Sequence, residues 1–308
     1  MAFPDDVLEL ATRVRNWGRW GPDDELGTLN LIDTAARRRG AACVRDGKAF
    51  SLALPLSADG PQLGFVPGRT NPVHTMFQVN APMSDEPDAQ CWNDDAISMG
   101  VQACTHWDGL AHASYAGRIW NGYPADTVTA DGAALCGIHR VSTLVSRGVL
   151  LDVARLHGVD VLPGGYALTG DDLDGACDAA GVEVESGDVV LIRTGHIRHF
   201  HAGDRRTYAT TAPGPSLTTV EWFRANDVAA VATDNLIFEV FPGERKDAFL
   251  PVHYLHLVDM GLTQGQNFDL EALAADCADD GRATFLLSAS PEPIVNGVGG
   301  LVNPVALK

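Results

Sequence analysis

The sequence predicts an α/β fold in which helices cover a largely buried β-sheet. Two apolar runs are typical of strands, GDVVLIRTG (187–195) and VAAVATD (228–234). A segment with a helical pattern precedes each of them, LTGDDLDGACDAAG (168–181) and LTTVEWFRAND (217–227). Strands that are apolar throughout are buried on both faces, which happens when helices pack on both sides of the sheet.

The other elements follow from periodicity and from capping residues. Apolar residues near helical spacing predict a helix over 4–16. Asp33 can cap a second helix, and Thr169 with Asp172 is placed to form a capping box for the helix in 168–181. Further helices are expected at 252–261 and 269–280, and further strands at 49–56, 74–79, 96–104, 148–153 and 282–289. The sequence contains no internal repeat, low-complexity tract or linker. We therefore expect a single domain over 1–308, with 1–47 forming a helical N-terminal arm that packs on it.

Charge and composition exclude several classes of function. The chain has 22 Lys and Arg against 40 Asp and Glu, a formal charge of −18. This charge repels phosphate backbones and anionic membranes, so nucleic acid and membranes are not expected as partners. The sequence shows neither a secretory signal nor an apolar run of about 20 residues. Its six cysteines are widely spaced without a CxxC pair, which favours reduced thiols and a cytoplasmic location.

The stretch CTHWDGLAH, residues 104–112, concentrates groups that can do chemistry. If residues 101–108 are extended, Gln102, Cys104, His106 and Asp108 share one face of the strand. Imidazole and carboxylate two residues apart are a common ligand pair for Zn²⁺ or Mn²⁺. Gly109 then allows a turn that brings His112 back as a proton carrier. The alternative is a hydrogen-bonded turn with satisfied histidines. Cys104 could be a fourth ligand or a nucleophile, but its neighbours favour a small buried thiol.

Several segments along the chain together resemble a known family. ACTHWDGLAH resembles the HxGTHxDxPxH signature of the cyclase and kynurenine-formamidase-like metal-dependent hydrolases, which include isatin hydrolase. The resemblance extends through PGPSLTTVEWF, AVATDNLIFE and LPVHYLHLVDMGLTQGQNF to a Gly-rich end at NGVGGLVNPVALK, and WGRWGPDDELGTLNLI resembles the opening of longer members. It implies the swivelling β/β/α fold of that family and a homodimer or homotetramer.

The resemblance also implies roles for individual residues. His106 and Asp108 match metal ligands, His112 matches the general acid/base, and His253 matches a catalytic histidine that reaches the metal region from a distant helix. Two positions depart from the family pattern, since Gln102 replaces the first histidine of the signature and Gln266 replaces a glutamate. An amide oxygen is a poor ligand for Zn²⁺, so a two-metal centre is not expected. One Zn²⁺ or Mn²⁺ is the expected cofactor, held by His106 and Asp108, with His253 as a further candidate ligand and Gln102 contributing weakly or through water. A metal-free site is the alternative.

Other side chains are candidates for contacts with a small-molecule substrate. Trp107, Trp20 and Gln266 are expected to line the pocket, with core packing as the alternative for either tryptophan. His196 follows a predicted strand at the end where α/β sites gather. The surrounding GHIRHFHAGDRR is expected to be a solvated or lid loop. Glu239, in NLIFEVF, could be presented to a site, but a place on the surface is expected.

The expected function is hydrolysis of a C–N bond in a small amide, formamide or lactam. A metal-activated water would attack, and His112 would carry the proton. The alternatives are a metal-independent cyclase or dehydratase of a secondary metabolite, and a binding protein that retained the pocket without the chemistry.

Overall fold

A nine-stranded sheet forms the centre of the computed structural model, which describes residues 2–308. The strands within these residues are β1 Ala49–Ser51, β2 Val73–Pro82, β3 Cys91–Ser98, β4 His106–Asp108, β5 Val128–Thr129, β6 Gly132–Ala133, β7 Val145–Asp152, β8 Ala167–Leu168, β9 Val189–Arg193, β10 Gly214–Pro215, β11 Ala230–Thr233, β12 Thr263–Gln266, β13 Thr284–Ser288, β14 Gly299–Leu301 and β15 Val305–Leu307.

Helices cover this sheet. The α-helices are α1 Asp5–Val14, α2 Thr34–Ala42, α3 Val153–Leu156, α4 Gly170–Ala180, α5 Ile197–His201, α6 Arg205–Thr210, α7 Thr219–Ala225, α8 Pro251–Tyr254 and α9 Glu271–Asp280. A π-helix, Leu255–Met260, continues α8. Short 3₁₀ turns occupy Gly27–Leu31, Val101–Ala103, Trp120–Gly122, Ala125–Thr127 and Ile138–Arg140.

The sheet is mixed, with order β1-β15-β13-β7-β9-β11-β12-β4-β14. Its middle, β7-β9-β11-β12, is parallel, and the strands on both sides of this group are antiparallel. On β9, Val189 and Leu191 pack in one hydrophobic cluster, whereas Val190 and Ile192 pack in the cluster on the opposite face. The predicted doubly covered sheet is therefore observed.

Both predicted helix caps are observed. The Asp33 side chain accepts a hydrogen bond from the backbone N–H of Ala36 at the start of α2. Thr169 and Asp172 form the reciprocal capping box of α4. Helix α1 buries Val7, Leu10, Ala11 and Val14 in the cluster that also contains residues of α4 and α7. These contacts hold the N-terminal segment against the helical layer on one face of the sheet.

The strands β2 and β3 form a separate two-stranded hairpin rather than part of the main sheet. Apolar side chains of this hairpin are exposed, including Phe77, Val79 and Trp92. The loop of residues 61–72, immediately before the hairpin, forms part of the cavity described below. The short strand β1 is less extensive than the predicted 49–56.

The close packing of α2 on β7 makes a test of the fold possible. A Cβ atom on Gly40 would lie 2.8 Å from backbone atoms of Ser146 and Arg147. We expect Gly40→Ala to lower the free energy of unfolding by about 1–3 kcal/mol, because rigid backbone must move. The matched control is Gly170→Ala in α4, where the nearest atom would be 3.8 Å away. The control should be neutral or stabilising by up to about 1 kcal/mol in denaturant unfolding. Equal effects of the two changes would contradict this packing.

A fully buried histidine in the π-helix predicts acid sensitivity. Burial, and secondarily His253, lowers the pKa of His256 to about 3, and Gln264 offsets only part of this effect. Because the folded-state pKa lies below the ordinary value of 6.5, this contribution to stability is complete above about pH 6.5 and is lost as the pH falls. The loss between pH 6.5 and 5 amounts to about 2 kcal/mol.

We expect His256→Leu to flatten the slope of unfolding free energy against pH in this interval, measured by urea titration at each pH. Phe223, whose ring packs on His256, provides the control, since Phe223→Leu alters the same core without removing a titratable group and should lower stability without changing the slope. An unaltered slope in His256→Leu would show that His256 does not titrate as its burial requires.

Candidate active site

The site is built on β4, a short strand held between β12 and β14. The register pairs His106 with Gln266 and Asp108 with Gln264. Alternation along a strand sends His106 and Asp108 to one face and Trp107 to the other. The two sequence-predicted ligands therefore lie side by side, and both are completely buried.

The same alternation places Trp107 in the hydrophobic core. It is fully buried, packs edge to face on Phe268 and donates its indole N–H to the carbonyl of Ala289. Gly265 lies opposite it in the register, and a Cβ there would come within 2.8 Å of the indole. Trp107 does not line the cavity described below. Its position argues against the expected contact with substrate, because a core indole is inaccessible from that cavity.

The ring of His106 is fixed by a backbone carbonyl. Its Nδ1 lies 2.7 Å from the carbonyl oxygen of Cys104, which also accepts a hydrogen bond from Asn267. A carbonyl can only accept, so Nδ1 carries a proton. In the neutral ring Nε2 then carries a lone pair, and this nitrogen has no hydrogen-bond partner among residues 2–308.

The two oxygens of Asp108 have different surroundings. Oδ2 accepts hydrogen bonds from the amides of Gln266 at 2.7 Å and Gln264 at 3.4 Å. Oδ1 lies 3.3 Å from His106 Nε2 and has no hydrogen-bond partner in the described part of the chain. Burial opposes the charge, but His112, and after it His106 and His253, hold the pKa of Asp108 below its ordinary value.

His112 lies on the open side of this pair. Its Nε2 is 3.6 Å from Asp108 Oδ1, and the side chain is half-buried. Asp108 favours the charged ring, but burial together with His253, His106 and Arg69 outweighs that attraction and lowers the pKa of His112. At neutral pH the ring is therefore uncharged and able to accept a proton.

A second histidine, His253, is oriented by a buried carboxylate. Glu239 Oε1 lies 2.5 Å from His253 Nδ1 and accepts the backbone N–H of the same residue at 3.0 Å. Its other oxygen accepts the N–H of Val252. Glu239 is only 2% exposed, so its expected place on the surface was wrong. A single glutamate in an apolar run gave no sign of this pairing, which depends on how the fold brings back a residue 14 positions later.

Asp108, His112 and His253 open onto one cavity of about 710 Å³. Its wall is largely apolar and is contributed by the 61–72 loop and by residues around Phe241 and Phe249. Gln266 and Arg69 are further polar members of the lining. Two histidines, a carboxylate and an amide therefore share the lining of one largely apolar cavity.

Other residues expected at the site lie elsewhere. Residues 101–103 form a 3₁₀ turn, so the extended conformation expected for them was wrong, and the amide nitrogen of Gln102 packs against Gly299. Trp20 packs near Trp120 in a separate cluster. His196 is buried against Tyr208. Gln102, Trp20 and His196 do not line the cavity, which argues against their expected roles as metal ligand and substrate contacts.

The structure also bears on Cys104, on the segment after His196 and on the expectations for cysteines and membrane spans. Burial raises the pKa of the Cys104 thiol to about 11, which fits the small buried thiol rather than a nucleophile. The expected loop after His196 contains helix α5, in which His201 pairs with Asp269. Across residues 2–308 the six cysteines are free. In the same residues, no helix combines the length and hydrophobicity needed to cross a bilayer.

Comparison with known proteins gives concordant results. The family model described as "Putative cyclase" matches residues 50–240, more than half of the chain. The crystal structure of a novel cyclase is 35% identical, with 97% of this chain and 99% of that chain covered and a TM-score of 0.88. No curated protein matches the sequence.

More distant structures share the fold. Isatin hydrolase A from Ralstonia solanacearum is 19% identical with a TM-score of 0.63, covering 89% of this chain and 95% of that chain. The enzyme of the same name from Labrenzia aggregata, bound to benzyl benzoate, is also 19% identical, with coverage of 86% and 94% and a TM-score of 0.62. These likenesses confirm the kynurenine-formamidase and cyclase type of α/β fold that the sequence predicts. From the family match and the 35% identical structure together, the chain belongs to the cyclase family.

Proposed function

We propose that this protein is a hydrolase that cleaves a C–N bond in a small amide, formamide or lactam. The observation that carries the proposal is the meeting of Asp108, His112 and the Glu239-supported His253 at one end of an apolar cavity. Proteins named isatin hydrolase and metal-dependent hydrolase share the fold, which supports the same class of reaction.

The donor atoms fit a divalent metal ion. His106 Nε2 and Asp108 Oδ1 are both buried, lack hydrogen-bond partners among residues 2–308 and lie 3.3 Å apart. When the His106 ring carries a proton only on Nδ1, its Nε2 and the carboxylate oxygen are two acceptors side by side, and a cation between them would satisfy both. Imidazole nitrogen and carboxylate oxygen are both common ligands of Zn²⁺ and Mn²⁺, so these two atoms would suit such an ion.

The protein supplies few ligands to such an ion. Within residues 2–308, no group of three or more His, Cys, Asp or Glu side chains is arranged to enclose a metal. His106 and Asp108 would hold the ion, and its other positions would be left to water or substrate. When bound, the ion would lower the pKa of a water and polarise the substrate carbonyl.

The chain's own residues would move the proton. His112, uncharged at neutral pH, would accept a proton from the attacking water at its unprotonated ring nitrogen and return it to the leaving nitrogen. The oxygen of water bonds to the carbonyl carbon as the C–N bond breaks, so no further reactant is needed. Glu239 fixes His253 with a proton on Nδ1, which leaves Nε2 free to hydrogen-bond the reacting amide.

The cavity wall would assist by offering apolar contacts to the substrate. Aromatic and aliphatic side chains at Phe65, Val66, Phe241 and Phe249 contribute to the lining. Electrostatic interactions of Asp108, His112 and His253 are stronger in such surroundings than in bulk water.

The metal assignment is tested by binding measurements. We expect the purified protein to bind about one Zn²⁺ or Mn²⁺ per chain, and His106→Gln and Asp108→Asn each to weaken binding by at least about 100-fold, because each removes one of two protein ligands. Isothermal titration calorimetry after treatment with a chelator provides the measurement, and circular dichroism checks folding.

His74→Gln, on the exposed hairpin, is the matched histidine control and should bind the ion as the unaltered protein does. Stoichiometric binding retained in a folded His106→Gln, Asp108→Asn double variant would contradict the assignment. Turnover that survives removal of the metal would favour metal-independent cyclisation or dehydration instead.

The roles of the histidines are separable from metal binding. We expect His112→Ala to lower kcat by about 100- to 10,000-fold, since it removes the proton carrier. Glu239→Gln should lower kcat by about 100-fold or more, because an amide does not hold His253 in the required tautomer. Both variants should retain the metal.

The measurement is release of amine from a panel of formamides and lactams by the Zn²⁺- or Mn²⁺-loaded enzyme. Loss of metal in His112→Ala would reassign His112 as a ligand. Unchanged kcat in either variant would remove that residue from the mechanism, and no turnover of any member of the panel would leave the hydrolase proposal unsupported.

A further inference from the structure

One arginine lines the cavity without a counter-ion. Arg69 lies in the 61–72 loop, and its side chain is part of the same lining as Asp108 and His112. Burial lowers the pKa of Arg69, and Asp108 offsets part of this effect. No ion pair or side-chain hydrogen bond involves this guanidinium within the described residues, even though Asp108 lies in the same cavity.

This lack of a partner sets Arg69 apart from the other arginines in residues 2–308. Every other arginine that is buried or half-buried there is paired with a carboxylate. Those pairs involve Arg39, Arg147, Arg193, Arg205, Arg224, Arg245 and Arg282. The arginines without an ion pair other than Arg69 are exposed, where water solvates their charge. Partial burial of an unpaired charge is costly, so an unmatched guanidinium inside a cavity indicates a place for an anion.

We propose that the substrate carries a carboxylate that pairs with Arg69 while its amide lies at Asp108, His112 and His253. The inference rests on the proposed function for the position of the amide, but the anion site itself does not depend on the reaction. A planar guanidinium matches a carboxylate with two parallel hydrogen bonds.

The charges around the cavity favour this ligand class. Arg69 is the one Lys or Arg side chain among the residues that line the cavity, where the other titratable groups are Asp108, His112, His253 and Tyr254. A polyphosphate would meet only this one cation in a chain of net charge −18. A single carboxylate on an apolar body fits one guanidinium and an apolar wall.

Arg69 can be changed without disturbing the packing of its stem. A Cβ on Gly100 would lie 3.1 Å from Arg69 Cγ, so the aliphatic stem packs on Gly100. Arg69→Gln keeps Cβ and Cγ and removes the charge. Arg38→Gln is a matched control, because Arg38 is exposed on α2 and outside the cavity.

The first test uses binding of benzoate and benzamide, which differ in charge but share a flat ring. In the metal-free protein, isothermal titration calorimetry should show that benzoate binds at least about 10-fold more tightly than benzamide. We expect this preference to disappear in Arg69→Gln and to persist in Arg38→Gln. An equal preference in the unaltered protein and in Arg69→Gln would overturn the proposal, as would the absence of any preference for benzoate.

The second test separates this inference from the hydrolase proposal. The metal-loaded enzyme is assayed with the formamide of 4-aminobenzoate and with that of 4-aminobenzamide. The kcat/KM for the benzoate divided by that for the benzamide should fall at least about 10-fold in Arg69→Gln. Selective benzoate binding without hydrolysis of either formamide would support the anion site and contradict the hydrolase. Hydrolysis of both formamides with the same ratio in both proteins would support the hydrolase and contradict the role of Arg69.

Discussion

An ionised carboxylate with no exposed surface, that of Asp108, is the constraint around which the site is arranged. Removing such a charge from water costs several kcal/mol unless hydrogen bonds or opposite charges compensate. The sheet satisfies one of the two carboxylate oxygens, since side-chain amides from β12 donate hydrogen bonds to Oδ2. The other oxygen faces His106 and His112 without a hydrogen bond. That incomplete compensation leaves Oδ1 available to an ion, a water or a substrate.

Two sets of contacts hold the neighbouring rings in place. The Cys104 carbonyl fixes His106, and Asn267, which donates to that carbonyl, ties it to the segment after β12. Glu239 performs the corresponding task for His253 and also accepts two backbone N–H groups at the start of α8. A backbone carbonyl therefore orients His106 and a carboxylate orients His253, and neither group is itself a reacting atom, which is the usual support for a catalytic constellation.

Local sequence rules accounted for much of the fold. The caps at Asp33 and Thr169 and the buried strand around Val190 depend on neighbours close in the sequence, and they were predicted correctly. Alternation along residues 106–108 likewise placed His106 and Asp108 on one face. The same rule, applied to Trp107, already implied the opposite face, so its assignment to the substrate pocket conflicted with the phasing of its neighbours.

Features that depend on distant contacts could not be predicted. The prediction that the strand includes Gln102 was wrong, because a 3₁₀ turn precedes β4 and directs the Gln102 side chain toward Gly299. Glu239 looked like a surface residue because its partner His253 follows 14 positions later. The unpaired state of Arg69 is likewise invisible in the sequence, since it depends on which carboxylates the fold brings near each arginine.

The most direct test of metal binding by Asp108 and His106 is a crystal structure of the protein with Mn²⁺, in which anomalous scattering locates the ion. We expect an ion about 2.0–2.3 Å from both Asp108 Oδ1 and His106 Nε2. A fully occupied ion elsewhere would contradict it. So would a site without an ion in which a protonated His106 Nε2 donates directly to Asp108 Oδ1.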